Sequence, residues 1–177
     1  MRVLLWSRPM VAIPFFPALD DPSHNLVREA WDRLAKVPGG KWAFSKAIGR
    51  IAPYSGTVGA VVDELRPGFA SVVLDDRPAV RNHLNCVHAI ALVNLAEIAG
   101  NVALSYALAP DARFIVAGLS IDYVKKARGT IRAVGTCPES LPSDRREYIV
   151  PVVMTNVEGE VVARAELRTL VGPKTRS

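Results

Sequence analysis

The feature that most constrains this chain is a nearly continuous apolar stretch from Asn82 to Leu108. From Val87 onward, apolar residues face every direction of a helix, so the segment belongs inside a domain rather than on its surface. Its few polar side chains follow at spacings of three, four and four, which puts them on one stripe: Asn94, Glu97, Asn101 and Ser105. Such groups, with His88, are costly in hydrocarbon. The stretch therefore predicts a buried core helix and no stable membrane insertion.

The segments on either side of this helix predict the rest of the fold. Residues 25–36 and 41–50 have the periodicity of two short helices, and two strands joined by an Arg66-Pro67-Gly68 turn follow over residues 55–75. After the central helix come four β segments, at residues 113–126, 128–137, 145–157 and 161–171. Their short connections imply antiparallel neighbours. We therefore predict an α+β hotdog fold, in which a curved antiparallel sheet wraps around one long central helix, with two extra N-terminal helices.

The domain organisation follows from the same elements. We expect residues 1–52 to form an N-terminal arm and two short helices packed on the core, and residues 53–177 to form the hotdog domain. Prolines and arginines interrupt the first 20 residues, which predicts an irregular arm that the core does not need.

Composition excludes several classes of function. The net charge of +5 is modest and the basic residues are scattered, which argues against a nucleic-acid partner. Two cysteines do not make a disulfide framework, and no Cys/His spacing resembles a zinc site. We expect a cytoplasmic protein with no metal and no cofactor.

One motif resembles a known family. Asn82-x5-His88-Ala89-x7-Glu97 resembles the signature of hotdog-fold acyl-CoA thioesterases of the phenylacetate-pathway type, in which an Asn precedes a His-Gly-Gly step and an acid follows the His by nine. Pro38-Gly39-Gly40-Lys41 and Tyr123-x-Lys125-Lys126-Ala127-Arg128-Gly129 are similar to a bacterial subfamily of these proteins. The resemblance runs from about Pro38 to the end of the chain. The two family glycines are Ala89 and Ile90 here, and the bulkier Ile90 narrows the approach of an acyl group.

The resemblance implies hydrolysis of acyl-CoA thioesters. Glu97 would be the general base for water, since a carboxylate on a mostly buried helix is partly desolvated. Backbone N–H groups at the helix start near His88 and Ala89 would polarise the thioester carbonyl. Asn82 would position the water or the carbonyl. The alternatives are structural: Glu97 pairs with an Arg at a dimer contact, His88 bonds the preceding loop, and Asn82 forms a turn.

The predicted substrate-binding residues are Ala89, Asn94, Tyr123, Lys125, Lys126 and Arg128. The three cations lie near a strand end, where they would meet the phosphates of coenzyme A. As alternatives, the cations form a solvated surface and Asn94 supplies hydrogen bonds at a subunit interface.

The chain is also expected to be a homodimer or a dimer of dimers. Nine helical steps of about 100° leave His88 and Glu97 half a turn apart, so on one straight helix they point away from each other. Either His88 precedes the helix, or the two residues serve opposite sides of a subunit interface. A single curved sheet also leaves edges that pairing across a two-fold axis would cover.

Two other functions remain open. A hotdog dimer can bind acyl thioesters or a protein partner without turnover. The second alternative is dehydration of acyl chains on an acyl carrier protein, because His83 and Glu97 have the fourteen-residue spacing of such dehydratases. Those enzymes carry a Phe-Pro-Gly between the pair, whereas this chain has Leu84-Asn85-Cys86.

Overall fold

A computed structural model describes residues 21–174; residues 1–20, with the predicted arm, and 175–177 lie outside the described residues. The elements in chain order are α1 (Leu26–Leu34), α2 (Gly40–Ile51), a short 3-10 segment (Ser55–Val58), β1 (Val61–Arg66), β2 (Phe69–Leu74), a 3-10 turn (Pro78–Val80), α3 (Ala89–Ala107), β3 (Ala112–Tyr123), β4 (Ile131–Thr136), β5 (Arg146–Thr155) and β6 (Val161–Pro173). The predicted order of two helices, two strands, one long helix and four strands is confirmed.

The six strands form one antiparallel sheet in the order β1-β2-β4-β5-β6-β3. Helix α3 lies across one face of this sheet, and the buried side chains between them form the main core. The predicted hotdog fold is confirmed. The short strand β1 and the twelve-residue strand β3 are the two edges.

One segment boundary differs from the sequence prediction, whereas the central helix begins at Ala89, close to the start expected near His88 and Ala89. Residues 55–58, predicted as the beginning of a strand, form a 3-10 turn that ends at Gly59, whose φ of 66° stops the segment before β1 begins. The apolar stretch from Asn82 becomes helical only at Ala89, because Asn85 has a φ of 53° and interrupts any helix there.

Glycines allow α3 to lie directly on the sheet. A Cβ on Gly135 of β4 would be 2.8 Å from the carbonyl oxygen of Ala99, and one on Gly100 would be 2.7 Å from Leu167. Ala96, Ala99 and Ala103 are fully buried on the same helix. Backbone therefore packs against backbone, and large side chains can surround α3 on either side of this contact.

Helix α1 satisfies the C-terminal end of α3. The Asn25 amide donates to the carbonyls of Ser105 and Leu108, each at 2.9 Å, and the Arg28 guanidinium donates to the Tyr106 carbonyl at 2.8 Å. These carbonyls have no partners within α3, and a cation at this end also suits the helix dipole. Asn25 additionally caps α1 by accepting the Arg28 N–H at 3.0 Å.

By length and composition, α3 is the one helix in residues 21–174 that is apolar enough to cross a membrane. More than half of it is buried inside the fold. The sheet of a hotdog domain wraps around its central helix and buries most of it. The apolar composition of α3 follows from this burial.

We predict that Gly135→Ala lowers the free energy of unfolding by roughly 1–3 kcal/mol, because the added methyl group overpacks the helix–sheet contact. Urea denaturation measures this change. The matched control is Gly118→Ala in β3, where the nearest atom is 3.5 Å from the new Cβ; its effect should stay within about 0.5 kcal/mol. Equal stability of the two variants would contradict the close approach.

Candidate active site

Glu97 is the only charged residue of α3. It is half-buried and lies on the one stripe of the helix that residues 21–174 leave largely uncovered, which recurs every three or four residues: Ile90, Val93, Glu97, Asn101 and Ser105. The sheet covers the opposite side through β2 and β4. A substrate or a second copy of the chain can therefore reach α3 at the stripe that carries this carboxylate.

Asn94 lies on the same side of α3, but the segment before β1 covers it. It is 4% exposed, and its amide nitrogen donates to the Tyr54 carbonyl at 3.3 Å. Its side-chain oxygen is buried and has no hydrogen-bond partner among the described residues. The four polar residues therefore share one side of the helix, and Asn94 alone among them is buried by its own chain.

His88 precedes α3 and caps it. Its Nδ1 accepts the Ile90 N–H at 3.1 Å, and its backbone N–H donates to the Val80 carbonyl at 2.8 Å. This placement is the first of the two predicted alternatives. The His88 ring takes one of the free N–H groups at the helix start, so the N–H groups of Ala89 and Ala91 remain for an acceptor from outside.

Asn82 shapes the loop that leads into the cap. Its side-chain oxygen accepts the N–H groups of Leu84 at 2.9 Å and Cys86 at 3.2 Å. This is the turn-forming arrangement expected as the alternative to a catalytic role. His83, the residue of the dehydratase alternative, is exposed in the same loop.

Asp76 joins this loop to the segment after β3, and sequence analysis missed it. Its carboxylate accepts the Arg81 Nε at 2.7 Å and the Gly129 N–H at 2.9 Å. Nearby, the Val87 N–H donates to the Ala127 carbonyl at 2.8 Å. These bonds fix the start of α3 against residues 123–129. The sequence shows an aspartate directly before the loop. Local spacing does not reveal that this aspartate contacts Gly129, which is 53 residues later.

Residues 123–129 carry the predicted coenzyme A contacts. The Tyr123 hydroxyl donates to the Ala89 carbonyl at 3.2 Å, and burial raises the pKa of Tyr123 above its usual value, so the proton for this bond is retained. Lys125 pairs with Glu160 at 2.6 Å, while Lys126 and Arg128 are exposed. The segment is therefore adjacent to the helix start, with two of its three cations directed to solvent.

His88 and Glu97 do not meet within one chain. Nine residues correspond to about 13 Å along a helix and to half a turn around it. The carboxylate and the helix start are therefore separate parts of a surface, and only a second copy can bring one against the other. Among residues 21–174, no group of three or more His, Cys, Asp or Glu side chains is placed to hold a metal ion.

The model of a protein family described as "Domain of unknown function (DUF4442)" matches residues 40–171. This chain is a DUF4442 protein. The match begins at the first residue of α2, so α2 is part of the family's common region. A search of curated proteins found no match.

Solved structures give further likenesses to this DUF4442 protein. A structural-genomics crystal structure whose name states no activity is 32% identical, with a TM-score of 0.72, and the match covers 85% of this chain and 99% of that one. A probable thioesterase from Pseudomonas aeruginosa is 19% identical, with a TM-score of 0.63 and coverage of 77% and 97%. A thioesterase from Haemophilus influenzae is 14% identical, with a TM-score of 0.64 and coverage of 74% and 92%. The last two likenesses concern the fold.

We predict a pH-dependent effect of Asp76→Asn. The hydrogen bond from Arg81, helped by the Gly129 N–H, holds the pKa of Asp76 below its usual value. A carboxyl whose pKa is lowered by folding stabilises the protein above its unfolded pKa and loses that contribution as pH falls through the folded one. The stability gap, that is the amount by which wild type is more stable than Asp76→Asn, should thus be largest at pH 7 and shrink below about pH 4.

Thermal unfolding between pH 7 and pH 3 measures this gap. The control is Asp144→Asn, at an exposed aspartate in the loop before β5, which should show a small gap that does not follow the same course. A gap for Asp76→Asn that stays constant into acid would contradict the assigned ion pair.

Proposed function

We propose that this protein is a thioester hydrolase that acts on acyl-coenzyme A, with Glu97 as the general base. The supporting observation is the position of Glu97, the only charged side chain of the central helix in a hotdog fold and half-buried on the uncovered stripe. Lone carboxylates are seldom placed on such a helix without a partner. A carboxylate in that position can take a proton from a water molecule beside it.

The start of α3 supplies the second part of the proposed chemistry. The N–H groups of Ala89 and Ala91, at the positive end of the helix dipole, would polarise the thioester carbonyl. His88 acts as a positioning residue in this scheme, because its ring holds the Ile90 N–H and fixes the first turn. Asn82 shapes the preceding loop, and a direct contact of its amide with substrate remains a prediction.

The proposed reaction is a direct hydrolysis. Glu97 takes a proton from water as the water oxygen attacks the thioester carbon, and the carbonyl oxygen becomes an oxyanion held by the helix-start N–H groups. The intermediate then collapses, the carbon–sulfur bond breaks, and Glu97 returns its proton to the leaving thiolate. The products are a carboxylic acid and coenzyme A.

This scheme requires two copies of the chain, because the two parts are about 13 Å apart on one helix. We propose a homodimer in which Glu97 of one protomer faces the α3 start of its partner. Strand β3 supports this assembly, since it is a twelve-residue edge with β6 as its only strand neighbour in residues 21–174. The unpaired N–H and C=O groups of a long edge strand can pair with a strand of another chain.

A dimer of dimers has a separate candidate surface. Ile115, Ile149 and Leu170 are about half-exposed on the sheet face turned away from α3. Ile115 lies directly opposite Leu170 in the β3–β6 pairing. Exposed apolar groups that cluster in this way are typical of protein contacts.

The remaining substrate contacts follow from the fold around the helix start. Lys126 and Arg128, both exposed, would bind the phosphates of coenzyme A, whereas Lys125 is engaged with Glu160. Tyr123 would contribute by holding the Ala89 carbonyl. The assignment to the phenylacetate-pathway type rests on the motif residues alone, and the free Cys86 and Cys137 agree with a reducing cytoplasm.

One observation favours a second candidate function, the binding of acyl thioesters without turnover. Ile90 is 53% exposed at the helix start, where the resembling family has glycine. Its side chain would crowd the carbonyl that the helix must polarise. A rise in melting temperature with acyl-CoA, but no release of thiol, would select this alternative.

The test of the proposed function is Glu97→Gln. Glutamine keeps the shape of the side chain but cannot take a proton from water, so thiol release should fall roughly 10²–10⁴-fold while acyl-CoA binding changes little. The substrates are acyl-CoAs from acetyl to palmitoyl, with aromatic members. The control is Glu166→Gln, an exposed carboxylate in β6, which should keep wild-type activity. Undiminished hydrolysis by Glu97→Gln would refute the assignment.

A further inference from the structure

A cavity of about 530 Å³ opens between α2, the 3-10 segment Ser55–Val58 and β1, and its inner end reaches α3 at Ile98. Its volume is in the range of roughly 300–1,000 Å³ found for small-ligand sites. It lies away from the start of α3, which is about 13 Å from Ile98 along the helix. Sequence analysis did not predict it, because its walls come from segments that only the fold brings together.

The inner walls of this cavity are apolar, and the Ser45 hydroxyl in its lining already has hydrogen-bond partners within the protein. Ile48, Val61, Val62 and Ile98 line it. The Ser45 hydroxyl, also in the lining, donates to the Lys41 carbonyl at 2.8 Å and accepts the Val62 N–H at 2.9 Å. A ligand inside would therefore be held by burial of apolar surface.

Two glycines keep the walls of the cavity close together. Gly49 of α2 and Gly56 of the 3-10 segment both line it, and a Cβ on either would lie 3.0 Å from the Cα of the other. A side chain at either position would force the two segments apart, so α2 and the 3-10 segment pack directly against each other on this side of the cavity.

The charged residues that line the cavity within residues 21–174 all have one sign. Lys46 and Arg50, both exposed on α2, are among these lining residues, and no carboxylate of this part of the chain is. Lys46 also lies 5.6 Å from the ring centre of Trp42, which continues the lining to the surface. An apolar interior with cations where the wall meets solvent is complementary to a ligand with an apolar tail and an anionic head.

We propose that this cavity binds an alkyl chain that carries an anionic group at its outer end. The chain lies between α2 and β1 toward Ile98, and the anionic group pairs with Lys46 and Arg50. Two molecules have this chemistry: a free fatty acid, with its carboxylate, and a fatty acyl-CoA, with its phosphates. The proposal needs no catalysis by Glu97, so it stands or falls separately from the proposed function.

Calorimetric titration of the full-length protein with saturated fatty acids of six to sixteen carbons, below their micelle concentrations, tests the chain. Each methylene should raise affinity about fourfold until the chain fills the cavity, after which affinity should level off. Val61→Trp and Thr57→Trp, which fill the cavity from two different walls, should each lower affinity at least tenfold. Absence of binding at every chain length, or full affinity in either folded variant, would overturn the proposal.

The head group is tested with Lys46→Gln/Arg50→Gln. This double variant should weaken fatty acid binding several-fold and leave binding of the uncharged alkanol of equal length unchanged. The matched control is Arg33→Gln/Lys36→Gln, which removes two exposed cations of the α1 region and should change neither affinity. An equal loss of affinity for the fatty acid and the alkanol would contradict the pairing of the anionic group with Lys46 and Arg50.

A competition experiment distinguishes the two sources of the chain. Palmitoyl-CoA is added to the Glu97→Gln variant loaded with a fatty acid, so that hydrolysis does not interfere. If palmitoyl-CoA displaces the fatty acid, the acyl chain of a thioester can occupy the cavity. If palmitoyl-CoA binds without displacing it, the free fatty acid is the occupant of the cavity. Failure of the proposed hydrolase activity would leave both measurements unaffected.

Discussion

The contact between the backbone of α3 and the backbone of β4 at Gly135 is the constraint on which the rest of the structure depends. Because the helix approaches this closely, the sheet must curve around it, and the neighbouring strands cover its sides with large apolar residues. Within the described residues, only one stripe of the helix remains largely uncovered. The position of Glu97 on that stripe follows from this packing and from the helical period, so the helix–sheet contact also determines where the proposed base lies.

Both ends of α3 are held by hydrogen bonds from segments far away in sequence. Asp76 and the Ala127 carbonyl fix the loop before the helix, whereas Asn25 and Arg28 satisfy its last carbonyls. A helix held in this way has little freedom to tilt or slide. The helical rise separates its start from Glu97 by about 13 Å, which is the reason that one chain cannot supply a complete site in the proposed scheme.

Much of the fold was predictable, because its signals are local. The apolar surround of α3 and the alternation in β6 each determine a type of element, and short connections then determine an antiparallel sheet. The burial of Asn94 was not predictable, since its partner is the Tyr54 carbonyl, forty residues earlier. The hydrogen bonds of Asp76 and the cavity at Ile98 were not predictable either, because both depend on contacts between distant segments. The left-handed turn at Asn85, which precedes the start of α3, also has no periodic signal.

The most direct test of a site shared between two protomers is to mix two variants that are defective in different parts of it. Glu97→Gln lacks the base. Ala89→Pro lacks one helix-start N–H, yet proline suits this first helical position and the extended ψ of 141° at His88. Each variant alone should release little thiol from acyl-CoA, and an equal mixture, unfolded and refolded together, should regain about a quarter of wild-type activity, since half the dimers then contain one intact site. No recovery in dimers shown to contain both variants would contradict the shared site.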